Sequence, residues 1–234
     1  LYDFYYFFFN AFIYALIIGT SAYIFENYYE WKSISGFIFL FSIYLASIAF
    51  HEFFHAFFAY IFGDYTILDH GYLRLNIFKY FHGINSFIFP GIMILFCGIF
   101  LPGAAVYIQT ENIRYRLYKF IVFVSGIFAQ GIFLYFLLFL INSNSLFFSK
   151  DFEALLHVAA YIQLLTLIFN LLPLPRHDGW QAISLLTFPR IGMFISRYFY
   201  FPSIILIIYL VIFNEEFSFY ILDNFENKTL FKIA

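Results

Sequence analysis

From Ile34 to Phe62 the sequence is an almost unbroken apolar run, long enough for one helix to cross a membrane. Three ionisable residues interrupt its later half: His51, Glu52 and His55. Backbone groups in hydrocarbon need internal pairing, and a helix supplies it, so the secondary structure of this stretch is set by its solvent. On a helix, residues four apart lie on nearly the same face. His51 and His55 can therefore offer two imidazole nitrogens to one metal ion, with Glu52 beside it. Three ionisable residues in five positions of a span are too costly to be casual packing, and they mark this HExxH stretch as a functional site.

Further apolar windows at 4–25, 119–141, 153–172 and 198–213 have spanning length, so the expected fold class is an all-α polytopic membrane protein. About five to six transmembrane helices are expected. A chain that is 64% hydrophobic and 11% charged is excluded from the ordinary soluble classes. A net charge of -2, with basic residues scattered singly, implies no nucleic-acid partner. The single cysteine, Cys97, allows neither an internal disulfide nor a CxxC zinc site. The first window has no basic n-region and no clear small-residue cleavage site, and reads as a retained span rather than a signal peptide.

Between the spans, a short link at 26–33 carries Trp31 and two tyrosines suited to an interface. After Gly63-Asp64 the chain turns polar to about Ser86, and alternation through Gly71-Tyr72-Leu73-Arg74-Leu75-Asn76-Ile77 predicts a small β-hairpin. The stretch 87–108 holds Pro90-Gly91, Gly98 and Pro102-Gly103, which makes it either a short span or a re-entrant segment, and charge favours re-entry. Re-entry places eight of the 12 Lys and Arg on one face, cytoplasmic by the positive-inside tendency. No internal repeat or Gly/Ser linker appears. The expectation is one membrane-embedded domain over 1–234, with its core at 34–190 and an acidic tail after the last span.

Two histidines leave a catalytic zinc site short of a protein ligand. The best candidate lies in Asn170-Leu171-Leu172-Pro173-Leu174-Pro175-Arg176-His177-Asp178-Gly179, where Asp178 follows a proline-broken segment at the end of a hydrophobic helix. HExxH in an early span with NxxPxPxxDG near a later one resembles the site-2 protease family of intramembrane zinc metalloproteases. Gly63-Asp64-Tyr65-Thr66 and Gly71-Tyr72-Leu73-Arg74-Leu75-Asn76 are similar to stretches of its compact branch without a PDZ domain. The resemblance covers about residues 45–190. It implies one zinc per chain held by His51, His55 and Asp178, Glu52 as general acid/base, and Asn170 near the substrate or its transition state. It also implies a hairpin that helps to hold an extended substrate. The chain departs from the family's GPxxN at Gly126-Ile127-Phe128-Ala129-Gln130, from its LNP at Leu75-Asn76-Ile77, and from its apolar pair at Arg176-His177.

The expected activity is hydrolysis of peptide bonds in membrane-spanning or membrane-tethered substrates, in a prokaryotic cytoplasmic membrane, with the site near the cytoplasmic side. A helical substrate must unwind to expose its carbonyls, and a strand at Leu73 to Ile77 would receive it by edge addition. The alternatives are a catalytically inactive relative acting as a membrane binding or regulatory protein, and a metal transporter. A transport path needs successive sites, whereas the ligands here gather in one. His70, His82 and His157 read as interface or loop histidines, and His177 as a neighbour of the site.

Overall fold

The computed structural model describes residues 2–81, 104–143, 148–173, 175, 177–186 and 195. Four of its helices are long and apolar enough to cross a membrane: α1 (Tyr2–Asn27), α2 (Lys32–Ile61), α5 (Arg116–Ser143) and α6 (Lys150–Leu171). Their positions agree with four of the expected spans, and the chain is an integral membrane protein. Short helices α3 (Thr66–His70), α4 (Ile77–Tyr80) and α7 (Asp178–Leu186), with 3-10 turns at Tyr29–Trp31, Tyr72–Arg74 and Thr110–Asn112, complete the described elements. The expected span at 198–213, the acidic tail and most of the expected re-entrant segment at 87–108 lie outside the described residues.

The long helices alternate in direction. At one end of the bundle, Lys32 at the start of α2 pairs with Asp151 in the first turn of α6, and the Ser149 N–H donates to Glu26 of α1. Ser149 also caps α6 by accepting the Phe152 N–H at 3.2 Å. At the other end, Asp3 of α1 accepts from Arg74 Nε at 2.6 Å, and Asn10 donates to the Arg74 carbonyl at 2.8 Å. The Arg74 guanidinium lies 5.1 Å from the Tyr6 ring centroid.

α2 is the axis of the fold because its buried positions recur at helical spacing: Phe39, Ile43, Ser47, His51, His55 and Ala59. Ala49, Ala56 and Ala59 are fully buried and let neighbouring backbones come close. α5 answers with small residues of its own, Ser125, Gly126 and Ala129, all buried. α1 behaves differently. Only Ser21 and Phe25 are buried along its length, Phe7 and Tyr14 pack against the core around α2, and most of its other Phe and Tyr side chains are exposed, as suits a helix in contact with lipid.

The expected β-hairpin is replaced by helical turns. Among the described residues there is no strand, and Gly71 to Tyr80 is a 3-10 turn at Tyr72–Arg74 followed by α4. Backbone conformation explains the difference. Gly71 closes α3 at φ 70°, Leu75 sits at φ 52°, and both lie in the left-handed region that breaks an extended ladder. Asn76 then caps α4 by accepting the Phe78 N–H at 3.0 Å. The alternating apolar residues are satisfied without pairing, since Tyr72, Leu75, Ile77 and Tyr80 all enter the core around α2. The edge-addition role expected of Leu73 to Ile77 goes with the strand.

Candidate metal centre

His51 and His55 lie one turn apart on the buried face of α2, 5% and 4% exposed. Their Nε2 atoms are 3.0 Å from each other. Asp178 opens α7, which packs against α5, and its Oδ2 reaches both imidazoles, 3.0 Å from His51 Nε2 and 3.2 Å from His55 Nε2. The expected third residue is thus brought to the other two across 123 positions of sequence. Burial alone would push the Asp178 carboxyl up, but the imidazoles of His55 and His51 outweigh it and hold the carboxyl below its usual range.

The three donor atoms form a nearly equilateral triangle, and its size tests whether a metal ion fits. Tetrahedral ligands at about 2.0–2.1 Å from zinc stand roughly 3.3 Å apart, close to the edges observed. The tautomer also fits. His55 Nδ1 lies 2.7 Å from the Val122 carbonyl, so it carries the proton, and the Nε2 lone pair is turned toward Asp178. His51 Nδ1 is buried with no partner among the described residues. Two imidazoles and one carboxylate are a donor set that suits zinc and leaves a fourth position open.

Close packing on two sides shapes the centre. A β-carbon on Gly126 would stand 2.2 Å from His55 Nε2 and 2.7 Å from His51 Cε1, so α5 passes the histidines only because that residue is glycine. A β-carbon on Gly179 would stand 2.3 Å from the Leu171 carbonyl oxygen, so the Asp-Gly pair lets α7 start against the end of α6. Glu52 is 5% exposed, with its Oε1 4.0 Å from His51 Nε2. The Val106 backbone lies beside its carboxylate, in the extended segment that follows the undescribed 82–103.

Asn170 is also buried, but its nearest partner was not foreseen. Its Nδ2 donates to Gln130 Oε1 at 2.9 Å, joining α6 to α5. Gln130 and Gly126 are positions where the sequence departs from or retains the family's GPxxN, which was the available signal for both. The roles of the Val122 carbonyl and the Val106 N–H leave no mark in side-chain sequence. His70 stacks on Tyr72 and His157 lies on α6, so neither joins the centre. His177 is half-buried beside Asp178, and His82 lies outside the described residues.

Comparison with known proteins finds relatives named as zinc metalloproteases. A protein of Mycolicibacterium smegmatis (strain ATCC 700084 / mc(2)155), named "Putative zinc metalloprotease Rip2", is 36% identical over 153 residues, covering 63% of this chain and 57% of the relative. Proteins of the same name from Mycobacterium tuberculosis strains Erdman and H37Rv are 34% identical over 151 residues, with the same coverage. The chain spans a little over half the length of these curated relatives. No family model matches the chain. No solved structure matches it either. With HExxH on a buried membrane helix, a distant Asp-Gly brought to it, and relatives named as zinc metalloproteases, the chain resembles the site-2 protease family.

Proposed function

We propose that this chain is a zinc metalloprotease that cuts peptide bonds within the membrane, with His51, His55 and Asp178 as the ligands of one zinc ion. The convergence of those three donor atoms on one buried point, inside a helix of spanning length, carries the reading. When bound, zinc supplies Lewis-acid polarisation of the scissile carbonyl and activation of water for attack.

Each residue of the site has a task that follows from its position. His51 and His55 present Nε2 from successive turns of a rigid helix, and the Val122 carbonyl fixes the His55 ring. Asp178 adds the negative charge that offsets the cation in a low-dielectric site. Glu52, one residue from His51, takes a proton from the attacking water and returns it to the leaving amine. Asn170 commits one amide N–H to Gln130, and the second can serve a substrate carbonyl. His51 lies about 15 Å from the α2 C-terminus at 1.5 Å per residue, a short path for water. The eight basic residues assigned to one face support a cytoplasmic site, and a membrane-tethered peptide is the substrate class the location favours.

The test is cleavage of single-span substrates in liposomes by wild type and Glu52→Gln, with bound zinc measured in both. Zinc in both and cleavage only by wild type is the expected result. Zinc in both and cleavage by neither would support the inactive-relative reading instead.

A further inference from the structure

Asp64 follows the end of α2, is fully buried, and pairs with no Lys or Arg among the described residues. A buried carboxylate without a counter-ion needs hydrogen-bond donors, and Asp64 has four. Its Oδ1 accepts from the Thr66 N–H at 3.3 Å, the Thr66 hydroxyl at 2.6 Å and Asn112 Nδ2 at 3.1 Å. Its Oδ2 accepts the Gln109 N–H at 2.7 Å, across 45 positions of sequence. One oxygen thus closes the local turn, and the other holds a distant piece of backbone.

That backbone is the extended segment 104–109, in which successive N–H groups point to opposite sides. On one side the Ala105 N–H donates to the Tyr80 carbonyl at 2.8 Å, the Tyr107 backbone meets the Tyr72 hydroxyl, and the Gln109 N–H meets Asp64. On the other side Val106 meets the Glu52 carboxylate. Ala104, Val106 and Ile108 pack against the core that surrounds α2, which sets the rotation of the segment. Tethers on one edge therefore aim a donor on the other edge at Glu52.

We propose that Asp64 is a positioning residue for Glu52: by accepting the Gln109 N–H, its carboxylate holds 104–109 where the Val106 N–H meets the Glu52 carboxylate. The proposal rests on the role given to Glu52 under the proposed function. It assigns a task to a residue that touches neither the metal ligands nor a substrate.

Two substitutions cut the tether from opposite ends. Asp64→Asn keeps an oxygen for the three donors around Oδ1 and turns its NH2 toward the Gln109 N–H, donor against donor. Gln109→Pro removes the donor, and the φ of -81° at that position is one proline accepts. Thr66→Ala is the control, since it removes a local donor and leaves the Gln109 contact intact. The measurements are amide hydrogen exchange over 104–109, bound zinc, and kcat and KM in liposomes, all on the full chain. In both tether variants, exchange over 104–109 should rise roughly tenfold with zinc retained. Their kcat should fall on the order of tenfold at unchanged KM, because a misplaced acid/base slows chemistry rather than binding. Thr66→Ala should match wild type in exchange and kcat.

Wild-type exchange over 104–109 in Gln109→Pro would overturn the proposal, as would raised exchange with unchanged kcat. If wild type cleaves nothing, the protease reading falls, and the exchange measurement alone decides whether Asp64 holds the segment.

Discussion

Gly126 of α5 faces His55 of α2 so closely that a β-carbon on the glycine would overlap the imidazole, at 2.2 Å from Nε2. The atom it would strike is the one aimed at Asp178, so the metal centre and the α2–α5 packing share a single residue. Gly126→Ala must displace either the ring or the helix. Zinc affinity should fall on the order of 100-fold, measured by competition with a chelator, because a displaced imidazole no longer closes the triangle. Wild-type affinity in this variant would show that the rings have room the structure does not give them.

Gly179 sets the position of Asp178 in a second way. The methyl group of Gly179→Ala would press on the Leu171 carbonyl oxygen at the end of α6, and backbone does not yield as a flexible side chain does. Overpacking of this kind costs about 1–3 kcal/mol. The expected outcome is a lower thermal midpoint in detergent, together with weaker zinc binding because α7 carries Asp178 away from the histidines. Lower stability with zinc affinity intact would separate the packing of α7 from the metal centre.

Gln130 and Asn170 form a buried pair between α5 and α6. Truncating either residue leaves the other amide without its partner, at a cost of about 1–3 kcal/mol. The double variant should therefore be less destabilised than the two single changes add up to, with a coupling of roughly 0.5–3 kcal/mol. Thermal unfolding of Gln130→Ala, Asn170→Ala and the double variant checks this. Additive losses would mean that the two side chains act independently.

The Asp3–Arg74 pair offers a contrast. It ties α1 to the turn after α3, yet its side chains are 25% and 33% exposed. Exposed pairs contribute about 0–1 kcal/mol, so Asp3→Asn should leave cleavage within roughly twofold of wild type. A large loss of cleavage would give the contact between α1 and Arg74 a part in the reaction.

The sequence made the four described spans and most of the candidate centre legible for a physical reason. A bilayer forces apolar runs into helices, and i, i+4 spacing then fixes His51 and His55 on one face whatever the rest of the chain does. Asp178 was legible because prolines followed by Asp-Gly mark a break where a side chain can turn inward. The 71–77 stretch misled because its residues alternate in sequence, while a 3-10 turn entered and left through left-handed residues buries Tyr72, Leu75 and Ile77 without a strand. Gly71 hinted at such a turn, but Leu75 at φ 52° is a conformation that leucine rarely adopts and no pattern announces. The contacts of Gly126 and Gln130 depend on how α5 crosses α2 and α6, which periodicity does not contain. The reach of Asp64 to Gln109 is likewise tertiary.

The most direct test of the account is zinc X-ray absorption on the purified chain, with zinc per chain measured in parallel for wild type, His55→Ala and Asp178→Ala. The account predicts one zinc per wild-type chain, bound by two imidazoles and oxygen ligands, and loss of most of that zinc in either variant. Sulfur ligation in wild type, or full zinc retention by both variants, would contradict the centre formed by His51, His55 and Asp178.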